Sequence, residues 1–221
     1  MSRHAAAVVV VFLAALLPAA SLRAADSDLS VNALLLVAAR NSDAAGVERA
    51  LAGGASANAR NRLGETALLI AVKKNDDALA RAMLTAGTDV NLAAVNGVTP
   101  LMAAAYGGQR DLVEALLARG ADLNAADRLE KNAMTYAAGE GRTDVVQLFL
   151  AKGVNPNAAY HNDLTALMWA AGNGKADTVK ALLAAGAKPG LKDNRGKTAL
   201  DMAREGKFDE TVKLLESRVP G

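Results

Sequence analysis

The feature that most constrains this chain is a repeat of 33 residues. Thr66, Thr99, Asn132, Thr165 and Thr198 hold one slot of it, and Gly54, Gly87, Gly120, Gly153 and Gly186 hold another, both series advancing by the same step. A third series, Asn58, Asn91, Asn124 and Asn157, sits four residues after the first four glycines and breaks only at Gly190. Three series in phase are not produced by chance, and a tandem period of this length limits the fold to stacked copies of one supersecondary unit. The units run 29–61, 62–94, 95–127, 128–160, 161–193 and a shorter 194–219. No linker separates them, so 25–221 reads as a single domain of about six repeats.

Each unit has a physical grammar, clearest in Asn96-Gly97-Val98-Thr99-Pro100-Leu101-Met102-Ala103-Ala104. Thr99 suits a helix N-cap, where its hydroxyl accepts from a free backbone amide, and Pro100 suits the first helical position, which needs no donor. Asn132 keeps the capping chemistry in a different residue. Leu101, Ala104 and Ala105, with Ala138 and Ala171 in later units, give the three/four spacing of a buried stripe. The first helix ends near Gly108, Gly141 and Gly174, where the chain can turn left-handed and reverse. A second, antiparallel helix follows, amphipathic through Leu112, Val113, Leu116 and Leu117 and echoed by Val145, Val146, Phe149 and Leu150. Turn signals such as Asn96-Gly97 and Arg195-Gly196 between units predict hairpin-like fingers.

Composition supports thin layers. The chain is 52% hydrophobic but only 3% aromatic, so closely approaching alanine-rich helices, not one thick core, must bury the apolar surface. One helical pair cannot do this alone; stacking pairs does.

The N-terminus reads as an export signal. Basic Met1-Ser2-Arg3-His4 precedes an uninterrupted apolar run, Ala5 to Leu17, too short to span a bilayer, and small residues at Ala20, Ala24 and Ala25 offer processing sites. Cleavage is expected near Ala24/Ala25, which makes 1–24 a signal peptide and places the mature protein in the periplasm with no membrane insertion. Of 25 Lys+Arg, removal of Arg3 and Arg23 leaves 23 against 23 Asp+Glu. A body of zero net charge gives no reason to expect nucleic acid as a partner. With no cysteine, packing alone must stabilise the fold even in an oxidising compartment.

Helix, turn, helix and finger at this period, with Thr99-Pro100-Leu101-Met102-Ala103-Ala104 and the Gly-Ala-Asp-Leu-Asn of Gly120 to Asn124, resemble the ankyrin-repeat family over nearly all of the mature chain. The resemblance implies an all-α repeat fold, a solenoid of stacked helix-turn-helix units with short β-hairpin fingers. The chain departs from that pattern where the usual signature histidine is replaced by Leu69, Met102, Thr135, Met168 and Asp201, and where Glu130 and Asp163 replace the finger glycine. Repeat one lacks the signature threonine.

Catalytic and ligand chemistry find little footing. Gly196-Lys197-Thr198 looks like the end of a phosphate-binding loop, but that motif needs glycine where Leu191 stands, and the repeat already explains all three residues. His161 is the only histidine after processing and has no ligand cluster beside it. Asp76-Asp77 fits the positive N-terminal end of a second helix. Tyr136, Met168 and Trp169 occupy slots that read as packing between repeats. No nucleophile, base and oxyanion site assembles, so no enzyme and no cofactor or metal is expected.

The resemblance implies a concave groove lined by the fingers and the ends of the first helices. That assigns partner binding to Arg62, Leu63, Lys73, Lys74, Val95, Val98, Tyr106, Arg128, Leu129, Lys131, His161, Leu164, Arg195 and Lys197, with the acids Glu65, Glu140 and Glu205 among them. Seven bases against three acids leave this face positive, with apolar anchors at its middle. The expected function is a monomeric, non-enzymatic module of a bacterial periplasm that recognises a folded protein with an acidic surface. One form is an accessory partner that assembles or protects another exported protein; another is a stoichiometric inhibitor or immunity protein that blocks an exported enzyme.

Overall fold

The computed structural model describes residues 30–218; the expected export signal and its cleavage site lie outside the described residues. Helices pair in sequence: α1 (Val31–Arg40) with α2 (Ala44–Ala52), α3 (Ala67–Lys73) with α4 (Asp77–Thr85), α5 (Pro100–Gly107) with α6 (Arg110–Ala118), α7 (Ala133–Glu140) with α8 (Thr143–Ala151), α9 (Ala166–Gly172) with α10 (Ala176–Ala184), and α11 (Ala199–Glu205) with α12 (Asp209–Glu216). The odd-numbered helices stack on one another in one layer and the even-numbered in a second. This is the all-α solenoid the period predicts.

The capping slot does what its chemistry requires. Thr66, Thr99, Asn132, Thr165 and Thr198 each accept, through the side chain, the backbone N–H three residues on, at 3.0–3.3 Å. Three departures from the usual signature extend this cap: Met168 through its Sδ, which accepts from the Thr165 N–H at 3.4 Å, and two through oxygen. Thr135 Oγ1 accepts from the Asn132 N–H at 3.0 Å, and Asp201 Oδ2 accepts from the Thr198 N–H at 2.9 Å, so each closes a reciprocal capping box. In repeat one, Ser30 caps α1, which therefore starts about a turn earlier than its counterparts. The second helices start on Asp43 and Asp76 in repeats one and two, whose carboxylates accept from Gly46 and Leu79 N–H at 2.9 and 3.1 Å.

The first helices of the inner repeats are buried almost all round, as Ala67 to Val72 show, those of the end repeats only in part, whereas second helices bury one stripe, Leu112, Val113 and Leu116 in α6. Removing a fully buried side chain such as Leu116 would cost about 2–5 kcal/mol. The turn between paired helices holds a positive φ in every unit, at Ser42, Asn75, Gly108, Gly141, Gly174 and Lys207. Half of these residues are not glycine, so the slot is imposed by the helix reversal and only eased by glycine. The asparagine series staples successive units: Asn58, Asn91 and Asn157 accept from the backbone N–H of Asp89, Asp122 and Lys188 at 2.7–2.9 Å.

Candidate functional site

The five fingers share one construction. The N–H groups of Asn61, Ala94, Asp127, Tyr160 and Asp193 donate to the carbonyls of Glu65, Val98, Lys131, Leu164 and Lys197 at 2.9–3.0 Å. Asn61, Asp127 and Asp193 also lock their fingers by accepting, on Oδ1, two N–H groups from inside the turn. Gly64, Gly97, Glu130, Asp163 and Gly196 carry the positive φ that closes each turn. The fingers are hairpin-like turns, and among the described residues no strand flanks them. The nearest approach to a β-hairpin is repeat five, where Asn162 and Asp163 both take positive φ and Ala159 bridges Thr165.

Three of the four neighbouring finger pairs are joined tip to tip. Val95 N–H donates to the Leu63 carbonyl at 2.8 Å, Arg128 N–H to that of Asn96 at 3.0 Å, and Asn194 N–H to that of Asn162 at 3.0 Å. On the first-helix side of these fingers lies an aromatic ledge. The rings of Tyr106 and Tyr136 meet edge to face, with centroids 6.0 Å apart at 78°. The Lys131 ammonium lies 5.8 Å from the Tyr136 ring centroid and 4.5 Å from that of Trp169. Tyr136 Oη donates at 2.6 Å to Asp127 Oδ2, whose carboxylate is buried; burial and then this bond push the phenol's pKa well above its ordinary value. The phenol thus stays a donor and holds both finger and ledge in place.

Tyr136 and Trp169, read from sequence as packing residues, are only half-buried and form part of this face. Their slot runs Ile70, Ala103, Tyr136, Trp169, Met202, and the slot three residues on runs Lys73, Tyr106, Gly139, Gly172, Glu205. A Cβ at Gly139 would sit 3.6 Å from the Trp169 ring, an ordinary contact, so the indole packs directly over this glycine. For Trp169 the signal available in the sequence was Gly139 one repeat earlier, and for Tyr136 it was the exposed Tyr106.

The positive charge of this face is largely engaged. Lys73 pairs with Glu65 at 2.7 Å, Lys197 with Glu205 at 2.6 Å and Arg195 with Asp193 at 2.8 Å, while Lys74 donates to the Arg40 carbonyl. For Glu65, burial raises the carboxyl pKa, but the bonds from Lys73 and Asn61 outweigh it and hold the group below its ordinary value. His161 Nδ1 lies 2.8 Å from Glu130 Oε2.

Three clefts follow one another along the face. Lys73, Val98, Tyr106 and Tyr136 line the first, of about 450 Å³. Arg128, Leu129, Lys131, His161, Leu164 and Trp169 line the second, of about 330 Å³. Leu164, Trp169 and Arg195 border the third, of about 470 Å³. Arg62, Leu63 and Val95 stand on the first two finger tips, outside these clefts, with Leu63 and Val95 strongly exposed. Among the described residues no three His, Cys, Asp or Glu side chains group to hold a metal ion, and no helix is long and apolar enough to cross a membrane. What this face can do chemically is bind: rings and aliphatic tips flanked by bases and hydrogen-bonding fingers. A family model described as ankyrin repeats (3 copies) matches residues 35–127 and 133–219. Comparison with curated proteins gave no match.

Proposed function

The chain belongs to the ankyrin-repeat family of protein–protein interaction modules, and on that premise we propose that it acts in a bacterial periplasm, as a non-enzymatic accessory partner that assembles or protects another exported protein. The finger face receives a folded partner that bears acidic groups. One observation carries this reading: of the large hydrophobic side chains exposed among the described residues, Leu63, Val95, Tyr106 and Leu129 stand 50–66% exposed on this single face, and only Val31 and Val37 lie elsewhere. Apolar side chains held in water on rigid fingers cost little further entropy on docking, and they bring most of their area as contact energy. Bases around them steer an acidic surface.

The test uses mature protein, beginning at or near Ala25, recovered from osmotic-shock fluid and immobilised to capture partners from envelope extract. Tyr106→Ala and Leu129→Ala should each speed partner release by about tenfold or more. Gln147→Lys, on the exposed side of α8, should leave it unchanged. Where the captured partner is an enzyme, its activity at equimolar ratio is maintained or raised; abolished activity would make the protein a stoichiometric inhibitor instead. Release governed by Gln147 and not by Tyr106 or Leu129 would overturn the finger face as the site, and recovery of an intact Met1 in the membrane fraction would overturn the periplasmic assignment.

A further inference from the structure

Five fingers make four neighbour contacts, and three of these are closed by the tip-to-tip backbone bonds described above. At the remaining contact, between the third and fourth fingers, the corresponding residues are His161 and Leu129, and among the described residues no backbone hydrogen bond joins them. The cause is local. A Cβ at Gly64 would lie 2.9 Å from Val95 N, and one at Gly97 would lie 2.8 Å from Asp127 Cα and 2.9 Å from Arg128 N. Fingers one and two therefore touch the next backbone through the space a side chain would fill. Glu130 fills the same slot with a Cβ of its own, so the third finger cannot come that near the fourth. Asp163 also carries a Cβ, yet the contact after it closes; there Asn162 as well as Asp163 takes a positive φ, and the Asn162 side chain adds a 2.9 Å bond from Asn194 that Leu129 cannot supply in the third finger.

At the unclosed contact the backbones stand apart, bridged by Glu130 and His161 side chains, both exposed. The cleft between them has Trp169 and Leu164 at its floor and Leu129 on its rim, with Arg128 and Lys131 beside it. Arg128 makes no ion pair among the described residues, Lys131 lies over Trp169, and the one acid in the lining, Glu130, is turned to His161 at 2.8 Å and pairs with neither base.

We infer that this gap receives an acidic segment of the partner, an extended stretch that sets a carboxylate against Arg128 and Lys131 and an apolar side chain against Leu129, Leu164 and Trp169. The inference rests on the reading of the finger face as a protein-binding surface and names where on it, and for what chemistry, the contact is specific. Charge selects the occupant. An acidic segment supplies the counter-charge that the two bases lack locally, whereas a neutral or basic one leaves them desolvated without it. The opened contact also lets an extended backbone lie where finger-to-finger pairing is missing.

The probe is a capped hexapeptide of alternating leucine and aspartate, titrated onto the mature protein by calorimetry and by the fluorescence of Trp169, the chain's one tryptophan. Binding should saturate, weaken by about tenfold or more when asparagine replaces aspartate, and vanish in the Arg128→Glu/Lys131→Glu variant. Glu130→Gly should also weaken it by about tenfold, since the restored glycine lets the fingers close while Arg128, Lys131 and Trp169 stay in place. Equal binding of the asparagine peptide, undiminished binding to Glu130→Gly, or tighter binding of a short oligothymidylate, which would also stack on the indole, overturns the inference. If the peptide fails to bind while captured partner still binds and Tyr106→Ala still speeds its release, the gap is not the seat and the wider reading stands. Failure of both removes both.

Discussion

The two halves of the stack build the same finger by different means. In the N-terminal half, Gly64 and Gly97 supply the positive φ and, lacking side chains, let each finger lie against the backbone of the next. In the C-terminal half, Glu130 and Asp163 take the same positive φ at a cost of about 1 kcal/mol each, and the finger ladder opens between them. The aromatic ledge also runs into this half, where Trp169 packs over Gly139 and Lys131 lies over its ring. One backbone slot can therefore be kept in every unit while the contact it makes with the next unit is kept in some and lost in others. Turn geometry is a property of one repeat; finger contact is a property of two.

The largest effect expected from this difference compares two glycines of the same slot. Gly97→Ala adds a Cβ at φ +85 within 3 Å of Asp127 and Arg128 backbone atoms, which cannot step aside; it should destabilise the fold by about 3 kcal/mol in urea titration. Gly196→Ala meets nothing within 4 Å at φ +79, so only the left-handed conformation is penalised, by about 1 kcal/mol. Equal losses would mean that the N-terminal fingers do not depend on their close approach.

A smaller effect separates the last two repeats. Thr178 and Thr143 share a hydrogen bond at 2.8 Å between second helices, whereas Thr211, one period after Thr178, is buried with its hydroxyl unpartnered because Ala176 stands where Thr143 stands one unit earlier. Thr178→Val should cost about 1 kcal/mol, while Thr211→Val should raise stability by up to about 1 kcal/mol. A loss at both positions would show that the hydroxyl of Thr211 is satisfied in solution.

The smallest difference is one of pH. Burial raises the Asp193 carboxyl pKa, but the N–H groups of Lys197 and Arg195 and the Arg195 guanidinium hold it, on balance, below its ordinary value. Bonds from the Thr198 N–H and hydroxyl likewise depress Asp201. Groups depressed in the folded state contribute stability that is present above the ordinary aspartate value of about 3.9 and lost as pH falls through the folded value. The same slots at the finger and first helix that open repeat two hold Asn61 and Leu69, which do not titrate, though Glu65 acts in the same direction there. Hydrogen exchange below pH about 4 should open repeat six before repeat two, and Asp193→Asn should narrow that gap, since Asn61 shows that an amide oxygen serves the same finger bonds. Simultaneous opening would show that these carboxylates do not set acid stability.

Much of the fold was legible because the signals are local and repeated. Caps at Thr66 to Thr198, Asp76 at the start of α4 and the glycine turns all lie where their chemistry put them. The Ser30 cap was missed, although serine just before the apolar run Ala33 to Ala39 was a usable signal. On the finger face the reading of charge was less complete. Counting seven bases against three acids omitted Asp127, Glu130, Asp163 and Asp193, which lie in the fingers themselves, Asp127 and Asp193 being buried and bonded to the turn backbone. Placing Tyr136 and Trp169 among packing residues followed from a slot shared with Ile70 and Ala103, where the side chains of neighbouring units, not the slot, decide exposure.

By itself the sequence determined the period, the caps, the two helical layers and the residues that would share each slot, since these follow from hydrogen-bonding and apolar patterns within about one repeat. Only the tertiary structure decided which fingers touch, where the ladder opens, how Lys131 comes to lie over Trp169 and which bases find partners. Those outcomes depend on whether a side chain in one unit meets a glycine, a ring or a carboxylate in the next, a distance in space that a position in the repeat does not specify.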